Sequence, residues 1–383
     1  MTAPQLDVGI PGTTRNSLGD VVGGASVLVC CGSGGVGKTT TAAVIGIEAA
    51  RRGRNVVVVT IDPAKRLADA LGLANGLTGE PQRVAIDDAT GDATGSGELW
   101  AMMLDTPAMF ERVVRANAPD PAQADRIVEN RFYRNIAGAL SGTQEYMASE
   151  ALHELHGDPR FDLVVVDTPP SRNALDFLDA PGVLTRFLDH KLFKLLMMPT
   201  RTGLRVLTVA TQPLLRAVGR VVGSDVLADA VAFFQAFAGM DVGFRQRAEA
   251  VTALLRADST RFVLVASPQR DTITEATWFA DQLAEQGFSV HATIVNRLHP
   301  RFGDGTVADA TSRATTAAQR GDHDLAAVWG NLAELRTIAT AERAELVPLL
   351  ERVAGSAVVE VPLLPSDVHD IEALDVLARH LFA

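Results

Sequence analysis

The stretch Gly32-Ser33-Gly34-Gly35-Val36-Gly37-Lys38-Thr39 follows the apolar run VLVCC and opens a helical pattern. No other segment constrains the fold as much. A G-x-x-x-x-G-K-[ST] loop between a strand and a helix turns successive backbone N–H groups inward around phosphate oxygens. The helix N-terminus adds the positive end of its dipole. Lys38 then reaches the β and γ phosphates, and Thr39 ligates Mg²⁺. The expected ligands are ATP or ADP with Mg²⁺, bound through Gly32, Ser33, Gly34, Gly35, Val36, Gly37, Lys38, Thr39 and Thr40. A turn that merely joins strand to helix is the alternative, and motif and context together argue against it.

Short apolar runs recur along the chain: VLVCC, VVVVTI from Val56, LWAMML from Leu99, FDLVVVD from Phe161, FVLVAS from Phe262, VHATIVN from Val290 and AVVEVP from Ala357. Runs apolar on both faces and separated by helical patterns predict a mostly parallel sheet covered on both sides, a doubly wound α/β fold. The first helix is expected from about Lys38 to Arg52, stopping at Gly53 after two arginines. Residues 72–97, rich in Gly, Thr and Asp, read mostly as an exposed loop. Residues 183–258 contain no convincing strand and read as an inserted helical subdomain, to which part of 106–158 adds helices. The nucleotide-binding domain is then 25–182 with 259–383, and residues 1–24 form a mobile leader without the character of a signal peptide.

Composition narrows the function classes. Of 383 residues, 47% are hydrophobic and 21% charged, an ordinary globular balance. A net charge of -11 argues against wrapping nucleic acid, which demands a basic footprint. The 2 cysteines cannot build a disulfide framework or a four-thiolate metal site, so a reducing cytoplasm fits best. Nothing in the sequence reads as a membrane-spanning helix. His153-Glu154-Leu155-His156 has the wrong spacing for a zinc protease helix.

Two further carboxylates point at the phosphate loop. FDLVVVD ends at Asp167, where a central parallel strand emerges and a Mg²⁺-directed carboxylate would sit. VVVVTID places Asp62 at the same edge of the sheet. Asp62 suits a helix N-cap before Pro63, and it also suits a carboxylate aimed at an attacking water; the two roles are compatible.

Together these stretches resemble the arsenite-efflux and tail-anchored-protein-targeting ATPases, dimeric P-loop NTPases of the SIMIBI type. Family loops read GKGGVGKTT against GSGGVGKTT here, the family's Asp-Pro-Ala matches Asp62-Pro63-Ala64, and its Asp-Thr-Ala-Pro aligns with Asp167-Thr168-Pro169-Pro170. The resemblance runs over about residues 25–380, including SPQRDTITEA up to Glu275. It implies that Asp62 orients the hydrolytic water, with Lys38 as its catalytic companion, and that Thr39 and Asp167 serve the metal. It also implies that Asn296 and Pro365 lie near adenine, although Asn296 equally fits a strand-end turn former.

Three departures matter. Ser33 stands where relatives carry a lysine that crosses the dimer interface, no C-x-x-C exists for an interfacial zinc, and the arsenite-binding thiols are missing. A cation arriving from a partner is worth about 10³ to 10⁵ in rate, and serine supplies none. The outcomes are a slow homodimer, a substitute such as Arg172, or a heterodimer with a paralogue that carries the lysine. The asymmetric pair is the preferred reading, and a catalytically weak regulatory subunit is the alternative. Finally, residues 186–220 carry seven basic groups and one acid, about +6 against -17 elsewhere, interleaved with Phe187, Met197 and Met198. With Phe233, Phe234 and Phe237 these suit either an ordinary helical core or a surface for an apolar protein client or an anionic membrane, which would make a cytoplasmic protein peripheral at the membrane.

Overall fold

Valine, leucine and cysteine side chains fill both faces of the central strands, so helices must cover the sheet above and below. A computed structural model describes residues 17–62, 66–73, 76–86, 97–131, 143–189, 224–237, 239–368 and 370–383. Its strands are β1 (Val27–Gly32), β2 (Val56–Thr60), β3 (Gln82–Val84), β4 (Leu99–Met103), β5 (Leu163–Asp167), β6 (Thr260–Ala266), β7 (Val290–Leu298) and β8 (Ala357–Pro362). They form one sheet in the order β3-β4-β2-β5-β1-β6-β7-β8, parallel throughout except for β3 on β4. The chain leaves β1 toward β2 and later extends through β6, β7 and β8 on the other side. The strand order therefore reverses at β1, where a doubly wound sheet opens a crevice beyond its strand ends.

Alternation along the strands divides the core. Leu28, Cys30, Val56, Val58, Leu163 and Val165 face α2 (Lys38–Arg51), with α1 (Leu18–Gly23) and the C-terminal helix Ile371–Leu381 in the same cluster. Val27, Val29, Val57, Val59, Val164 and Val166 face the opposite layer. That layer contains α4 (Thr106–Asn117), α5 (Pro121–Val128), α6 (Thr143–Gly157), α7 (Ser171–Asp189), α8 (Ser224–Ala236), α9 (Asp241–Leu255) and α10 (Arg270–Glu285). The short α3 (Arg66–Ala70) follows β2.

The structure corrects or completes the sequence reading in four places. First, the presumed loop 72–97 contains β3, a three-residue edge strand in which only Val84 is buried. Second, α1 lies inside the presumed leader, capped by Ser17 and held by buried Leu18, Val21 and Val22; residues 1–16 lie outside the described residues. Third, a helical hairpin of α11 (Val307–Gln319) and α12 (His323–Arg352) separates β7 from β8. Arg336 fastens its base to the carbonyls of Phe302 (2.9 Å) and Thr306 (3.0 Å). The C-terminal helix is accordingly α13. Fourth, of the two readings of Phe233 and Phe237, the helical core is the one the structure shows. Their ring centroids lie 5.0 Å apart, and Phe237 also meets Phe110 and Phe244. These rings build the core of the helical layer, whereas the basic, Met-rich segment around Lys191–Arg220 lies outside the described residues.

Close approach of α2 to the sheet depends on Gly46, where an added Cβ would sit 2.5 Å from a Val58 methyl. Gly46→Val should therefore destabilise the fold by about 1–3 kcal/mol through overpacking. Urea unfolding reads this, and an unchanged midpoint would show that the helix can lift off the sheet freely.

Candidate nucleotide-binding site

At the C-terminal end of β1 the backbone must turn back over itself. Gly32 has φ 150°, and a side chain there would overlap the Val265 carbonyl. Gly37, the N-cap of α2, has φ 99°, and a Cβ would lie 2.5 Å from Asn296 Nδ2. Glycine alone satisfies both demands. Between these points Gly34 and Gly35 are exposed, leaving their amides open to an incoming anion.

Lys38 is folded onto this loop. Its Nζ donates to the carbonyl oxygens of Gly32 (2.9 Å) and Ser33 (2.7 Å), at 8% exposure. Burial lowers its pKa, while the nearby carboxylates, Asp167 first, oppose that shift. An ammonium so placed is positioned for phosphate oxygens above the loop.

Asp167 ends β5 in register with Thr60 of β2 and Cys30 of β1. Its Oδ2 accepts hydrogen bonds from Thr39 Oγ1 (2.8 Å) and Thr60 Oγ1 (3.0 Å), whereas its Oδ1 is buried without a partner. Desolvation raises its pKa to about 6 against hydrogen bonds that lower it. A carboxylate with one unmatched buried oxygen, beside a threonine hydroxyl, has the hard oxygen chemistry of a Mg²⁺ site. Thr168 is fixed next to it, its hydroxyl donating to Cys30 O (2.7 Å).

A cavity of about 310 Å³ opens over the loop. Gly34, Gly35, Gly37, Lys38, Thr39, Thr40 and Asp62 line it, so the structure brings the loop and Asp62 to one space. Asn296 does not line it; its Nδ2 donates to Val36 O (2.9 Å) and braces the loop from the β7 side. Pro365 is exposed outside the lining, and Val368 occupies that wall instead. Ser33 is 1% exposed, its Oγ buried without a partner, so its side chain is enclosed in the loop rather than presented outward. Pro63 and Ala64, and the side chain of Arg172, lie outside the described residues.

Sequence reasoning missed Thr60, Arg66 and Arg297. Thr60 was detectable only through its register with Asp167; Arg66 and Arg297 line the cavity from α3 and from the end of β7.

Comparison with known proteins supplies relatives of the chain. The anion-transporting ATPase family profile matches residues 25–316. An arsenical pump-driving ATPase of Acidiphilium multivorum is 27% identical over 80% of this chain, which spans only 44% of that relative's length. The ATPase GET3 of Malassezia globosa is 26% identical, covering 78% of this chain and 79% of its own. ATPase get3 of Schizosaccharomyces japonicus is 27% identical over 76% and 79% respectively.

Since folding raises the Asp167 pKa from an ordinary 3.8 to about 6, the protonated group favours the fold. That contribution is complete below 3.8 and is lost as pH rises through about 6. Asp167→Asn should therefore raise the melting temperature of metal-free protein, more at about pH 8 than at about pH 4.5, while abolishing Mg²⁺-dependent nucleotide binding. Equal melting temperatures at both pH values would mean that the carboxylate carries no burial penalty.

Proposed function

The chain belongs to the anion-transporting ATPase family, and from that premise we propose that it hydrolyses Mg·ATP as a dimeric switch acting on a protein client, paired with a paralogous subunit. Lys38 and the loop amides hold the phosphates, Thr39 and Asp167 hold Mg²⁺, and Asp62 orients the attacking water. Mg²⁺ supplies charge neutralisation at the β and γ phosphates when bound. Lys38 would exchange its hydrogen bonds to Gly32 and Ser33 for phosphate oxygens, and Asp167, ionised, would offer its free Oδ1 to the cation.

The observation that carries the pairing is Ser33. An enclosed, uncharged side chain cannot cross an interface to a partner's phosphates, so a crossing cation has to come from the other subunit. Hydrolysis is then completed across one interface, which favours an asymmetric pair over a homodimer. If no such partner exists, the chain is a nucleotide-holding regulatory subunit, and binding without turnover selects that reading.

Coupling to the helical layer is supported by two contacts. Gln144 at the start of α6 donates to Ile61 O (3.1 Å), next to Asp62. Further along α6, fully buried Glu150 accepts from Tyr146 and pairs with Arg247 of α9 at 2.6 Å. A shift at Asp62 on hydrolysis would thus move α6, and α9 with it. No helix among the described residues is long and apolar enough to cross a membrane.

Phosphate release by the native assembly, co-purified from its source, tests the proposal. Asp62→Asn should lower turnover about 10²- to 10⁴-fold with nucleotide affinity retained. Mass measurement with ATP should show a second, different subunit. Undiminished turnover in the variant, or a stimulated homodimer with no second chain, would contradict the mechanism or the pairing respectively.

A further inference from the structure

We propose that Arg297 holds the nucleoside end of the bound nucleotide, its guanidinium lying against the base on the wall shared with Val368. This rests on the nucleotide-site reading above and adds the residue that distinguishes a nucleotide from a bare polyphosphate.

The backbone supplies the first argument. Against β8, β7 pairs Val295 with Glu360 and next Leu298 with Pro362, so three steps on one strand answer two on the other. One extra residue is therefore accommodated at Asn296-Arg297, a bulge, and bulges beside active sites re-aim side chains. Arg297 takes φ 65°, a left-handed conformation that a long side chain rarely adopts. Its neighbours hold it there. Asn296 is bonded to Val36 O, and Leu298 O accepts from Leu363 N at 2.8 Å. The Glu342 carboxylate grips His299 at both its backbone N (2.8 Å) and its Nδ1 (2.6 Å). Strain enforced from both sides at a ligand cavity marks a residue whose direction matters.

The shape of the cavity supplies the second argument. Lys38, Asp62, Thr168 and Pro170 line it toward β5 and β2, the end where the terminal phosphate and the attacking water belong. Arg297, at the end of β7, and Val368, after β8, line it from the other side of the strand order. A nucleotide with its phosphates in the loop must send its nucleoside toward them. Arg297 is exposed and has no ion pair among the described residues, so its planar cation is available to a ring face, with Val368 as an apolar neighbour.

The test uses Arg297→Gly, because glycine adopts the same backbone without strain, with Arg297→Asn as a second variant that tolerates it. Calorimetry compares Mg·ATP with Mg²⁺ and inorganic tripolyphosphate. We expect both variants to melt no lower than wild type, to lose roughly 5- to 30-fold in ATP affinity, and to bind tripolyphosphate unchanged. Arg297→Lys, which keeps charge but not the plane, should lose most of the same affinity. Wild-type ATP affinity in the glycine variant would overturn the proposal, leaving Arg297 a strained connector. Equal weakening for both ligands would overturn it in favour of a phosphate contact. A wild-type chain that binds neither ligand would instead defeat the nucleotide-site reading, and this proposal with it.

Discussion

Two opposite charges are buried at one strand end, and neither is fully satisfied by protein. Lys38 leans on carbonyls of its own loop, and Asp167 leaves Oδ1 without a partner. Burying such groups is unfavourable unless ligand or metal completes them. The rest of the fold makes the arrangement tolerable. Buried apolar strands on both sides fix β1 and β5 in register, Thr39 and Thr60 each donate to Asp167, and Asn296 braces the loop against drift. In the proposed mechanism, stability given up here is returned as affinity for a magnesium-bound triphosphate.

That arrangement also frames the question of the missing lysine. With Ser33 enclosed, the loop offers the phosphates one lysine, its amides and a helix end, and no charge toward a second subunit. Arg66 and Arg297 line the same cavity, yet they stand at its margins, one on the helix after Asp62 and one at the end of β7. In the proposed mechanism their positions suit substrate grip better than reaching across an interface. An asymmetric partner therefore remains the simplest source of a crossing cation in the proposed mechanism.

Much of this was legible in the sequence because the signals were strong and local. The loop motif, the Asp at the end of FDLVVVD and the doubly apolar strands each stand alone. β3 was not legible, since three residues with one buried side chain carry no period. Nor was the hairpin α11–α12, whose helices pack through small side chains such as Ala310, Ala317 and Ala339 that leave little apolar contrast. Its caps, Thr306 with Asp309 and Asp322, are the local signals that could have marked it. Thr60 and Arg297 were missed for a different reason. Their importance arises from register and from a bulge, which are properties of paired strands and not of either strand alone.

The central claim is that loop amides, with Lys38 and Asp167, enclose a magnesium-bound triphosphate. Amide hydrogen exchange across Gly34–Thr39, with and without Mg·ATP, tests it most directly. The account predicts strong protection of these amides when nucleotide and Mg²⁺ are both present, and little change with Mg²⁺ alone. Exchange at these amides that ignores Mg·ATP, while protection develops elsewhere, would contradict it.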